Sequence, residues 1–147
     1  MLWVTRHEPH VDRCASIWLI KNFIDKEAVF EFISRDSEIP EGAIAFTLPK
    51  VDLKPTDTQT TFDMLVERYK INDPVVLEIG RIIRDFEIDA DEDINKVAMK
   101  ESTGVAFILR GLARTSKSDH EIIYKAMIMM DALYAQLKAR QDDEIEM

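Results

Sequence analysis

The residues best suited to chemistry cluster near the N-terminus, in Trp3-Val4-Thr5-Arg6-His7-Glu8-Pro9-His10-Val11-Asp12-Arg13. Arg6 leaves the end of a short aromatic and β-branched run, and Arg13 falls in the first turn of an apolar helix. A strand-to-helix connection carries both guanidinium groups toward that helix N-terminus. Free backbone N–H groups and the positive end of the helix dipole already favour anions there. Two planar guanidinium forks add charge-assisted, bidentate contacts that suit a tetrahedral oxyanion. Asp12, read as the N-cap of the helix, is expected to orient Arg13. The competing reading is structural, with Arg6 and Arg13 in salt bridges to Asp12, Glu8 or the acidic stretch further along.

Metal chemistry has a thinner basis. His7-x-x-His10, completed by His120, Asp12 or Asp119, offers nitrogen and oxygen ligands. The pair flanks a proline in a loop, however, and His120 reads as a capping residue at the start of the last helix. No metal and no cofactor are therefore expected, with His7, His10 and His120 as the residues that would have to supply one. The acids Asp85, Glu87, Asp89, Asp91, Glu92 and Asp93 do not form an EF-hand. A loop begun at Asp89 places Ile94 where glycine is needed and Lys100 where a bidentate glutamate belongs. They read as a solvated acidic loop. Cys14, inside the apolar helix, reads as core. No glycine-rich phosphate loop, nucleophile elbow or HExxH motif is present.

These side chains need elements to hold them. Leu2–Thr5 reads as a strand, Asp12 to about Phe23 as a buried helix, and Ala28–Ile33 and Ala43–Leu48 as two further strands. Strand, helix, strand in this span suits a βαβ unit. Thr60 with Asp63 forms a capping box, and Asp73-Pro74 opens a helix to about Asp85. Val97–Arg114 reads as helical. Ser118-x-x-Glu121 caps a long last helix with an inward stripe of Ile123, Met127, Met130, Tyr134 and Leu137. The expected fold is α+β: a small, about three-stranded sheet with a βαβ start, packed against a helix-rich C-terminal half. One domain over residues 2–140 is expected, followed by a frayed acidic tail at 141–147.

Composition narrows the partners. The chain has 147 residues, with 19 Lys and Arg against 28 Asp and Glu, a formal charge of −9. That balance argues against a phosphate backbone as partner, which needs clustered cations. A single cysteine makes neither a disulfide nor a cysteine-based zinc site, which fits a reducing, cytoplasmic compartment. No secretory leader is legible, and the longest purely apolar runs, such as Ile17–Ile20, fall far short of the ~20 residues that span a bilayer.

With these residues laid out, the chain resembles the chromate-resistance ChrB-type C-terminal domain family. The likeness is carried by Trp3-Val4-Thr5-Arg6, Pro9, Val11-Asp12-Arg13, Trp18-Leu19-Ile20 and Phe23-Ile24-Asp25. It continues through Ala28-x-Phe30-x-Phe32, Thr61-Phe62-Asp63, Tyr69-x-x-Asn72-Asp73-Pro74, Asp119-His120 and Asp131-Ala132-Leu133-Tyr134-Ala135. The resemblance implies a role in chromate resistance or sensing, with Arg6 and Arg13 handling the oxyanion. Two segments depart from the family pattern. Lys54-Pro55-Thr56-Asp57 stands where the family carries a Thr-His-x-Gly stretch, and Thr47 stands where it carries an aspartate. Sensor members also have an N-terminal DNA-binding region, which a chain opening Met1-Leu2-Trp3 is expected to lack.

The expected function is thus a cytoplasmic domain that binds or senses a small inorganic oxyanion, chromate or sulfate, with no nucleic acid and no membrane as partner. Self-association is left open. Two other classes stand beside it. One is a metal-assisted enzyme using His7, His10, Asp12 or His120; the other is a non-catalytic scaffold meeting a partner through a Met- and aromatic-rich helical face.

Overall fold

The computed structural model of the chain describes residues 1–146. Its elements are β1 (Leu2–Arg6), α1 (Val11–Leu19), β2 (Val29–Ile33), β3 (Ile44–Ala45), α2 (Thr61–Arg68), α3 (Pro74–Arg84), α4 (Ser102–Thr115) and α5 (Asp119–Glu146). Helices α1 and α3 each widen into a π-helical segment, Ile20–Ile24 and Asp85–Asp89. The architecture is α+β, with a three-stranded sheet at the N-terminal end and a long closing helix.

The sheet is parallel and its order is β2-β1-β3, so the first strand is central. Trp3 pairs with Phe30 on one side and Ile44 on the other. Flanked on both sides, Trp3, Val4 and Thr5 are buried, and the Thr5 hydroxyl donates to the Phe46 carbonyl at 2.7 Å. Because β2 and β3 leave β1 in opposite directions, the strand order switches at β1. The crevice over its carboxyl end is where ligands sit in open α/β sheets. Arg6 ends the strand at that point.

β3 is shorter than the expected Ala43–Leu48. Thr47 takes a left-handed backbone (φ 54°), and its N–H turns to the Leu53 carbonyl at 2.6 Å. That conformation is uncommon for a β-branched residue and leads the chain out of the sheet.

Helix starts follow local hydrogen bonds. Thr60 and Asp63 cap α2 reciprocally, and Asp73 accepts from the amides of Val75 and Val76 at the proline-headed start of α3. α1 differs from expectation: its N-cap is His10, and Asp12 lies inside the first turn. The α4 helix begins at Ser102 rather than Val97. The buried Asp85 carboxylate takes the amides of Ala98 and Met99 and the Ser102 hydroxyl, which holds the chain before Ser102 in a turn. Asp85 is therefore no member of a solvated loop.

A continuous core runs from Trp3 and Trp18 through Phe62, Ile79 and Phe86 to Met130 and Leu137. The buried stripe of α5 is Ile122, Ala126, Met130 and Leu137, while Ile123, Met127 and Tyr134 lie at its edge. The segment read as a frayed tail is helical through Glu146, and Gln141 donates to Pro74 and Glu78 of α3. Met147 lies outside the described residues. Among the described residues no helix is long and apolar enough to cross a membrane.

Candidate functional site

The loop between β1 and α1 turns sharply at Glu8, which has φ 54°. Such a turn leaves successive carbonyls of a strand end pointing into one space, where each needs a donor. Arg13 supplies all of them. Its guanidinium donates to the carbonyls of Arg6, His7 (3.1 Å) and Glu8 (2.7 Å). Burial, together with the nearby Arg6 charge, lowers the proton affinity of Arg13. Asp119 at the head of α5 holds the other side of the loop. It accepts the Glu8 amide at 2.9 Å and the His7 Nδ1–H at 2.7 Å. Arg6 is exposed, and among the described residues its side chain forms no ion pair; the paired arginines are Arg84 and Arg140.

The helix N-termini beneath the loop are served by carboxylates. The Asp12 amide, in the first turn of α1, donates to Glu87 Oε1 at 3.3 Å. The Asp12 carboxylate reaches away to α2, accepting from the amides of Thr61 (2.9 Å) and Phe62 (3.1 Å) and the Ser16 hydroxyl (3.3 Å). Asp12 thus neither caps α1 nor orients Arg13. It docks one helix onto the next. Burial pushes its pKa up against those donors. Burial, reinforced by the Asp12 and Glu92 charges, pushes Glu87 up to about 7.

The three histidines make different contacts. His7 is tied to Asp119, His10 caps α1 beside Arg110, and His120 packs edge-on against Phe32 with ring centres 5.3 Å apart. Burial, then the charges of Arg13 and Arg110, lowers the His10 pKa. His7 and His120 share a cleft of about 410 Å3 with Glu31, Phe32, Ser118 and Asp119. Among the described residues no three His, Cys, Asp or Glu side chains converge as metal ligands. Cys14 is buried, its thiol lies 3.4 Å from the Pro9 carbonyl, and burial pushes its pKa up to about 12. It is no nucleophile at neutral pH. At the departure from the family pattern, the Thr47 hydroxyl shares a hydrogen bond of 2.8 Å with that of Thr61.

Sequence reasoning placed Arg6 at the end of the first strand and Arg13 in the first turn of the next helix, where the structure has them, but missed Glu87, Arg110 and Arg114. The arginines carry a readable signal, being four residues apart and so on one face of α4. Glu87 carries none, since it sits in a run of acids whose other members face solvent or cap other turns.

A family model described as ChrB, C-terminal domain, matches residues 3–137. The chain is similar to Protein ChrB of Cupriavidus metallidurans, with 24% identity over 133 residues. That alignment covers 90% of this chain and 39% of the relative, so the chain spans about two fifths of the relative's length. No solved structure matches the chain. A match that opens on β1, takes in the Arg13-braced loop and ends in α5 shows that the chain belongs to the ChrB C-terminal domain family.

Proposed function

We propose that this domain binds a small divalent oxyanion, chromate or sulfate, over the carboxyl end of β1, and that it serves chromate resistance by doing so. One observation carries the reading. Arg13 gathers the carbonyls of Arg6, His7 and Glu8, which fixes the loop and leaves Arg6, exposed and without an ion pair among the described residues, at the switch point of the sheet. Arg13 holds the loop with its donors, and its charge adds to that of Arg6 nearby. The α1 N-terminus contributes less than a free helix end would, because Glu87 already meets the Asp12 amide. The same reading places the domain in the cytoplasm and gives it no nucleic acid partner, in keeping with its −9 charge and single buried cysteine.

Isothermal titration with sulfate and with chromate tests this. Arg6→Ala is expected to weaken binding by about ten- to a hundredfold, the equivalent of losing one charge-assisted contact of ~1.5–3 kcal/mol. Affinity should also fall as salt is added, because an exposed guanidinium is screened. Equal binding by the native chain and Arg6→Ala would refute the reading.

A further inference from the structure

On the other flank of the loop, between it and α4, lies a cavity of about 240 Å3 walled by Glu8, His10, Arg110, Ala113 and Arg114. Arg6 is not among its walls. Arg110 and Arg114 stand one turn apart, and among the described residues neither enters an ion pair. Two like charges on one helix face repel each other at this spacing. In a chain with 28 acidic residues, carboxylates were available to neutralise them. An anion between the two forks would relieve the repulsion and take bidentate hydrogen bonds from each. His10 approaches from the opposite wall, close enough to Arg110 to feel its charge.

We infer that this cavity is a second anion site, which takes the phosphate group of a small phosphomonoester between Arg110, Arg114 and His10. The inference is independent of the Arg6 site. The volume lies below the ~300–1,000 Å3 of sites for drug-sized ligands, which suits a phosphate bearing a few carbon atoms. Ala113 leaves room at the wall for that carbon part. The Glu8 carboxylate shares the wall and is the group there that opposes an anion.

The site predicts proton uptake. His10 faces Arg13 and Arg110, which disfavour its charge, and Glu8 and Glu92, which favour it, with Arg114 completing the wall. A bound anion adds a negative neighbour, so His10 gains a proton on binding and affinity rises as pH falls through its titration range.

Titration calorimetry with ribose 5-phosphate, and with sulfate as the bare-ion arm, provides the test, in an Arg6→Ala background that removes the first site and leaves the walls of this cavity untouched. Both arginines are exposed, so Arg110→Gln and Arg114→Gln leave the core intact, and circular dichroism verifies this. Each is expected to weaken ribose 5-phosphate binding about tenfold or more. Glu8→Gln should strengthen it, since a repelling charge is removed. Sulfate does not titrate in this range, so in a Glu87→Gln background, which removes the carboxyl that titrates near 7 beside Arg110, the pH dependence of its binding reports His10 and should vanish on adding His10→Asn. Tighter binding of ribose 5-phosphate than of sulfate assigns the ester, whereas tighter sulfate binding overturns that assignment. Unchanged affinity in Arg110→Gln/Arg114→Gln, or no binding of either probe at millimolar concentration, overturns the site. Loss of chromate binding in Arg6→Ala alone bears only on the first site.

Discussion

At the scale of single residues, Arg13 and Glu87 do work that their neighbours in sequence do not reveal. Arg13 satisfies three carbonyls with one planar fork, a geometry that a lysine ammonium cannot reproduce. Arg13→Ala should therefore cost about 2–3 kcal/mol in urea unfolding, and Arg13→Lys should recover only part of it. Glu87 provides a pH-dependent term. Its folded pKa of about 7 stands above the ordinary 4.5, so its contribution is most favourable below about 4.5 and is lost as pH rises through about 7. Glu87→Gln keeps an oxygen for the Asp12 amide and removes the charge. It should match the native chain near pH 4 and exceed its stability by about 1–2 kcal/mol at pH 8. Asp85 works in the opposite sense. Burial raises its pKa, but the Ala98 and Met99 amides and the Ser102 hydroxyl outweigh that and hold it low.

At the scale of elements, what was legible in the sequence was what is closed locally. The capping box of Thr60 and Asp63, the Asp73-Pro74 start and the Ser118 bond to the Glu121 amide each span two or three residues, and each stands where expected. The bonds that build the site do not. Asp12 reaches α2 across 49 residues, Glu87 reaches α1 across 75, and Asp119 reaches Glu8 across 111. No periodicity encodes such pairings, so Asp12 read as a cap of its own helix. The shortened β3 was hidden for a different reason, since the left-handed turn falls on Thr47 and not on a glycine. The Asp12 assignment leads to a prediction. Asp12→Ala strands the buried amides of Thr61 and Phe62 and should cost about 2–4 kcal/mol, while Asp12→Asn, which keeps one acceptor, should cost less. Urea titration at pH 7 measures both.

At the scale of the whole molecule, the sheet supplies a switch point and the helices supply the charges around it. Three arginines around the β1–α1 loop have no acid partner among the described residues, and these, Arg6, Arg110 and Arg114, come from two elements far apart in the chain. The chain that carries them has a formal charge of −9. Local cation density with global negative charge suits a small anion and opposes a polyanion. This chain on its own should therefore fail to retard duplex DNA at micromolar concentration in low salt, and salt-sensitive retardation would contradict the charge argument. A chromium anomalous difference map from crystals of the chain soaked in chromate tests oxyanion binding at Arg6 without an indirect readout. An oxyanion held by Arg6 gives a chromium peak over the carboxyl end of β1, in hydrogen-bonding contact with the Arg6 guanidinium, and the peak is lost in Arg6→Ala crystals. Chromium bound only elsewhere, or no peak at saturating chromate, would contradict it.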